Sequence, residues 1–356
     1  MKFRILFILV FISSMGAVTA QKKAKQPKNI ILMIGDGMGV AQIYAGLTGN
    51  YGRLNLEQFP VVGFHKNQAS NAYVTDSAAG ATALSCGVKT YNGAIGVGPD
   101  GESLPTILEI AEENGLATGL VATCSITHAT PASFISHQPS RSLDDDIAMD
   151  FLATDIDVFI GGGRQHFANR ADGVNLIDSL RNRNYQIANS IEEVQQIKSG
   201  KLAAFLADDQ QPRVSEGRGE ELLQSTEVAL NLLKTNKKGM FLMVEGSQID
   251  WGGHSNNTQY IVEEMIDFDK AIGKVLEFAK NDGNTLVIIT ADHETGGFTI
   301  NKGSTETGVV EGKFTTGSHT GVMIPVFAYG PGSEAFAGIY ENNEIFHKMI
   351  KAYNFK

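Results

Sequence analysis

Four short apolar runs constrain this chain more than anything else in it: Asn29 to Gly35 (NIILMIG), Leu116 to Cys124 (LATGLVATC), Gly239 to Val244 (GMFLMV) and Thr285 to Thr290 (TLVIIT). Each is continuous rather than alternating and is rich in β-branched residues, the pattern of strands buried on both faces, as in a parallel sheet. Helical patterns lie between them. One runs from Ser103 to Glu113, with Ser103 as N-cap, Pro105 in the first turn and Gly115 just past the end. Another runs from Tyr260 to Lys280, burying Val262, Met265, Ile266, Ile272, Val275, Leu276 and Phe278 and stopping at Asp282-Gly283. Strand and helix in alternation predict a single α/β domain with a large, mainly parallel central sheet flanked by helices on both faces. No repeat or low-complexity linker divides residues 29–356; the most irregular stretches are Ser190 to Gly219 and Lys302 to Gly317.

With 42% apolar and 19% charged residues among 356, and 2 Cys, the composition excludes disorder and a disulfide framework. The net charge of -10 argues against general affinity for nucleic acid or an anionic membrane, so an anionic substrate needs a local positive field. Residues 1–20 read as a secretory signal peptide: Lys2 and Arg4, the apolar run Ile5 to Ile12, then Val18-Thr19-Ala20 for cleavage. The run is too short to span a bilayer, which takes about 20 apolar residues. The expectation is an exported protein, periplasmic or secreted, whose residues 21–28 form a basic, mobile tether. Cys86 and Cys124 lack C-x-x-C spacing and read as buried small hydrophobes, with a disulfide between them left open.

The residues just past each strand carry the chemistry. Asp36 follows the first, His128 and Thr130 the second, Glu245 the third and Asp292-His293 the fourth. Ligand-binding residues of open α/β sheets gather at these carboxyl ends. One acid after one strand is commonly a helix cap, but four such endings in one chain are a pattern. Asp250 and His254, four apart, share a helical face and suit a zinc ion, and His319 sits in a Gly-flanked segment. Mixed nitrogen and oxygen donors fit zinc, whereas Thr130 with carboxylates fits magnesium. The seven acids and histidines Asp36, Glu245, Asp250, His254, Asp292, His293 and His319 exceed one four-coordinate ion, so two or three metals are implied, two of them about 4 Å apart if they bridge a substrate oxygen. Such ions would let an acidic protein hold phosphate.

Val74 to Ala83 reads as a polar turn opening into a helix of small residues, with Ser77 at its N-terminus, where the macrodipole favours an alkoxide. An ordinary N-cap serine is the plain alternative, and Thr75 is a competing nucleophile. Arg141 offers two parallel donors to phosphate oxygens, although an isolated arginine is more often a solvated one. His137 reads as a packed or capping residue. The triplet Gly161-Gly162-Gly163 lacks the remainder of a phosphate-loop motif and reads as a strand-end turn.

Together these segments resemble the alkaline phosphatases, metal-dependent phosphomonoesterases. The motifs are Ile34-Gly35-Asp36-Gly37, Thr75-Asp76-Ser77-Ala78-Ala79, Val88-Lys89-Thr90-Tyr91-Asn92, Thr130-Pro131-Ala132 up to Arg141, Glu245-Gly246 with Asp250 and His254, Asp292-His293, and His319-Thr320-Gly321. They cover nearly the whole chain after the leader. The compact length and the string Ile249-Asp250-Trp251-Gly252-Gly253-His254 look most like the short cold-active type of marine and Antarctic bacteria.

The resemblance implies hydrolysis of phosphate monoesters of broad range, with an alkaline optimum, through a phosphoserine on Ser77. Arg141, steadied by Asp76, would hold the non-bridging oxygens. One zinc would take Asp250, His254 and His319, and a second Asp36, Asp292 and His293; Asp36, Thr130 and Glu245 would hold a magnesium. It implies a homodimer as well. Two positions depart from the enterobacterial pattern: His128 stands where an acid is usual and Trp251 where a lysine is. His128 removes a carboxylate from the third site, which makes zinc an alternative ion there. Trp251 brings no charge to the phosphate. The rival classes are phosphodiesterases, sulfatases and phosphomutases, and a secreted metal- or phosphate-binding protein without catalysis. Asp76 to Gly80 lacks the C-x-P-x-R nucleophile segment of sulfatases, and Arg141 with the magnesium set favours a monoester over a diester.

Overall fold

The computed structural model describes residues 26–355. Its strands, in chain order, are β1 (Asn29–Gly35), β2 (Val61–Lys66), β3 (Ala117–Ser125), β4 (Val158–Gly162), β5 (Tyr185–Ala188), β6 (Lys201–Phe205) and β7 (Met240–Gly246). They continue with β8 (Thr285–Thr290), β9 (Glu294–Thr295), β10 (Thr299–Ser304), β11 (Val309–Lys313), β12 (His319–Thr320), β13 (Ile324–Tyr329) and β14 (Gly338–Glu341). Ten of them form one sheet in the order β14-β2-β13-β8-β1-β7-β3-β4-β6-β5. Only β13 runs antiparallel to its neighbours, so the sheet is mainly parallel, as expected.

The four apolar runs are its centre. In β1 every residue is buried, and its side chains alternate between two cores. Ile30, Leu32 and Ile34 pack on one face with the helices Ser77–Cys86, Ile107–Glu113 and Glu344–Tyr353. Ile31 and Met33 pack on the other with the helices Glu221–Leu233 and Thr258–Asp282. This period of two with helices on both sides is why a continuous apolar run, and not an alternating one, encodes such a strand.

Several boundaries differ from expectation. The helix assigned to Ser103 begins at Ile107: Thr106 caps it, accepting from Glu109 N while Glu109 reaches back to Thr106 N, whereas Ser103 bridges Val97. A capping box satisfies two free N–H groups at once, and Pro105 keeps the chain extended before it. The long helix spans Thr258–Asp282, ends at Gly283 (φ +65°), and leaves Ile266 and Phe278 half-buried. Ser190 to Gly219 contains the sheet strand β6, and Lys302 to Gly317 contains most of the β10–β11 hairpin. The expected signal peptide, residues 1–20, and residues 21–25 lie outside the described residues. The rest of the expected mobile tether is docked: Gln26 donates to the Tyr353 carbonyl (2.6 Å) and Lys28 N to that of Asn284 (2.8 Å). Cys86 and Cys124 are buried and unpaired, and the glycine triplet is a strand-end turn closing β4.

Candidate active site

The carboxyl ends of the central parallel strands meet at one place, and every candidate residue stands there. Asp36 follows β1, and Gly37 takes φ +73° to turn the chain; a Cβ on it would fall 2.6 Å from Asp250 Cα. Glu245 lies near the end of β7, which leads into the helix Gln248–His254 carrying Asp250 and His254 on one face. Asp292 and His293 follow β8, and the short pair β9–β12 sets His319 opposite Thr295.

Two compact donor sets result: Asp250, His254 and His319, and Asp36, Asp292 and His293, each with donor atoms within 4.8 Å of one another. The imidazole hydrogen bonds show which nitrogens are free. His254 Nδ1 faces the Gly317 carbonyl at 2.8 Å and His319 Nδ1 that of Thr75 at 2.9 Å. A carbonyl only accepts, so both Nδ1 atoms carry a proton, which leaves Nε2 of each ring as the atom that would offer a lone pair to a cation once any proton on it is displaced. Those Nε2 atoms face each other at 3.1 Å beside the Asp250 carboxylate, an arrangement that a cation between them would satisfy. His293 Nε2 points at Asp292 Oδ2 (3.2 Å), Asp36 Oδ1 (3.4 Å) and Ser77 Oγ (3.2 Å).

Unpartnered buried atoms mark the same places. Among the described residues, both Asp36 oxygens, Asp292 Oδ2, Glu245 Oε1, Thr130 Oγ1 and His128 Nδ1 lack a hydrogen-bond partner. Orphaned polar atoms in a protein interior are costly unless something absent from the chain itself satisfies them. The electrostatics agree. Burial, with Asp292, Asp250 and Glu245 nearby, holds the Asp36 carboxyl well above the usual range. Burial pushes Glu245 up to about 7, and burial with Asp250 raises Asp292 to about 6. Asp250 is the exception: burial opposes its ionisation, but its bond to His254 and the neighbouring His293 and His319 hold it below the usual range. A pocket in which buried carboxylates retain protons is one that divalent cations would discharge, so the donor sets fit the metals expected from the sequence.

The Ser77 side of the site is built on the helix Ser77–Cys86. Its N-cap is Asp76, whose Oδ1 accepts from Ala79 N, and Ser77 is its first residue rather than its cap. Asp76 Oδ2 also accepts from Gly93 N (3.0 Å) and from Arg141 Nη1 (3.1 Å), so the cap that fixes the helix also aims the guanidinium. Arg141 Nη2 donates to His128 Nε2 at 3.2 Å; burial and Arg141 push His128 down to about 4, which keeps it neutral. Trp251 is half-buried, edge-on to His128 with ring centroids 6.3 Å apart. Thr75 is buried, with its hydroxyl turned back to the Asp76 carbonyl (3.0 Å). His137 binds Gly96 O and Glu109 instead of the site.

Three roles were not foreseen, although Asn92 closes one of the quoted motifs and Cys124 was read as buried. Cys124 is buried as expected, but its thiol donates to Glu245 Oε2 at 3.3 Å, in a third group with His128. Asn92 accepts from Asp76 N and donates to the Val74 carbonyl, holding the turn before Ser77. Thr295 bridges the two donor sets. Its placement two residues after His293 was the one available signal, and spacing alone does not separate it from any strand residue.

Comparison with known proteins agrees with this geometry. The family model "Alkaline phosphatase" matches residues 27–313 and 309–355. The chain is 36% identical to alkaline phosphatase 3 of Bacillus subtilis, over 96% of this chain and 94% of that protein. It is 33% identical to alkaline phosphatase of Escherichia coli, over 93% and 87% respectively. The solved alkaline phosphatase of the Antarctic bacterium TAB5 superposes with a TM-score of 0.88 at 47% identity, covering 94% of this chain and all of that one. A variant of the same protein, with one histidine replaced by aspartate, has been solved with magnesium bound in its M3 site.

Proposed function

This chain belongs to the alkaline phosphatase family and is a phosphatase of phosphate monoesters; from that premise we propose that Ser77 is its nucleophile and that hydrolysis passes through a phosphoserine. One observation carries the reading: Ser77 Oγ, at a helix N-terminus, touches one donor set while Arg141 is held beside it by Asp76, the residue before Ser77. Two zinc ions, one on Asp250, His254 and His319 and one on Asp36, Asp292 and His293, would supply Lewis-acid activation of the serine, the leaving oxygen and the water. Asp36, Thr130 and Glu245 would hold a magnesium, with zinc as the alternative because His128 stands nearby.

The chain's own groups do the rest. Ser77 Oγ forms the new bond to phosphorus as the ester oxygen leaves in line, and water then displaces Oγ in the same way, so two inversions give retention at phosphorus. Arg141 binds two non-bridging oxygens bidentately, and Asp76 keeps its plane fixed. A diester still offers two non-bridging oxygens, but it has no third one for the metal positions, carries one negative charge instead of two and adds a second ester group, and together these are the source of monoester preference. Because the site grips phosphate and little of the leaving group, the range is broad, and the need for deprotonated ligands supports an alkaline optimum.

The protein acts as an exported enzyme, periplasmic or secreted, and as a homodimer. Among the described residues no helix is long and apolar enough to cross a membrane. The homodimer is supported by an exposed apolar face of Val40, Tyr44, Val322 and Met323 beside a cavity of about 380 Å³. The test is turnover of one aryl phosphate monoester and its diester by metal-replete and chelated protein. Monoester preference lost on chelation and restored by zinc and magnesium is expected. Diester preference would overturn the role of Arg141, and no turnover would favour a binding protein.

A further inference from the structure

We propose that Thr295 is a positioning residue that couples the two zinc positions through a single hydroxyl. Thr295 is fully buried, and its Oγ1 contacts a ligand from each donor set: Asp250 Oδ1 and, at 3.2 Å, His293 Nδ1. A hydroxyl has one proton, and a carboxylate only accepts, so Thr295 donates to Asp250 and accepts from His293 Nδ1–H. That assignment leaves His293 Nε2 as a lone pair, and Nε2 is the atom facing Asp36, Asp292 and Ser77. One side chain therefore selects the imidazole tautomer needed at one position and orients the carboxylate needed at the other.

Nothing leaves the hydroxyl free to choose another partner. Thr295 N bonds the Gly37 carbonyl (3.3 Å), β9 pairs it with His319, and its side chain packs on the helix Gln248–His254, where a Cβ added to Gly253 would fall 2.8 Å from Thr295 Cβ. Filling one position fixes Asp250 or His293, the shared hydroxyl carries that constraint across, and the second ion meets a ligand already oriented. Zinc uptake should be positively cooperative between the two positions.

The inference rests on the reading of the two sets as zinc sites, and zinc titration of the metal-free protein separates the two. Wild type should take up two ions cooperatively at these sites. Thr295→Val, which keeps the shape and removes the hydroxyl, should lose about 10- to 100-fold in zinc affinity and bind its ions independently. Thr295→Ser restores the hydroxyl and should recover both affinity and cooperativity, which a purely packing role for the methyl would not predict. If Thr295→Val folds and binds zinc as tightly and cooperatively as wild type, or Thr295→Ser behaves like Thr295→Val, the coupling role is wrong while the zinc sites stand. If wild type binds no zinc, the reading of the sites fails first.

Discussion

Removing the metals should invert the usual effect of alkaline pH on this protein. In the metal-free chain the bond to Asp250 raises His254 to about 9, and burial raises Glu245 and Glu221 to about 7. Groups whose folded value is raised contribute stability below their unfolded value and lose it as pH climbs through the folded one. Between pH 6.5 and 9 the raised His254 corresponds to about 2.6 kcal/mol, halved to about 1.3 because its side chain is 40% exposed. The two glutamates add about 0.8 kcal/mol each. His65 and His128, lowered to about 4 by burial, and His293, also lowered, have the opposite sign. Their unfolded value near 6.5 makes that contribution almost complete by pH 7.5, worth about 1 kcal/mol in all. The net fall is about 2 kcal/mol, or roughly 4 °C in Tm. The metal-loaded protein should lose the His254 and Glu245 parts of this fall, since bound cations have already displaced those protons, whereas Glu221, which lies beside Arg218 away from the donor sets, titrates in both forms. Thermal unfolding followed by circular dichroism at four pH values, with and without chelator, reads both. A metal-free midpoint that stays level or rises from pH 6.5 to 9 would refute the assignment of these protons.

Replacing Ser77 by alanine should abolish phosphoenzyme formation while metal content stays near wild type; labelling that persists would transfer the nucleophile to Thr75. Trp251→Lys should bind inorganic phosphate more tightly and release it more slowly, because it adds a cation next to Asp250; an equal or weaker phosphate inhibition constant would show that the tryptophan does not govern release. Arg218, buried and bonded to the Pro212 carbonyl, Glu264 and Asp267 rather than to any site residue, should matter only for folding. Arg218→Met leaves two buried carboxylates unpaired, so denaturation should show a loss of about 3–5 kcal/mol with kcat unchanged in the fraction that stays folded.

The centre of the sheet was legible because burial on both faces leaves a continuous apolar imprint, and β1 and β8 begin and end where the runs do. The flanking strands were not. β6, KLAAF, opens on lysine and spends two of its five residues on alanine, and β2 is half-exposed, so neither carries the imprint. Site residues were legible for a different reason: a sheet of this kind delivers its strand ends to one place, so acids and histidines following separate strands could be gathered without knowing the strand order. The groups that hold those residues were hidden. Thr295, Asn92 and the thiol of Cys124 act through one or two hydrogen bonds each to candidate ligands or to the turn at Asp76, and residue types so common carry no periodic or compositional signal.

Close approach of neighbouring chain explains why the helix that Ser77 opens begins with such small residues. A Cβ on Gly80 would sit 3.1 Å from Asp292 Cβ, so the first turn of the helix lies in contact with the segment that carries two of the donors. Gly37 makes the matching approach to Asp250 from the other side. Backbone contact, rather than long side chains reaching across a gap, therefore sets the distance between the serine and the donor sets. Long side chains would lose rotamer freedom on each approach, whereas apposed backbones were ordered when the sheet formed. The cost of placing Ser77 against His293 is then met during folding, which is the condition under which a nucleophile and its activating groups gain from proximity. It also explains how three donor groups stay assembled in a chain whose carboxylates repel one another: the surrounding backbone packing, and not the ligands' mutual attraction, keeps them in place.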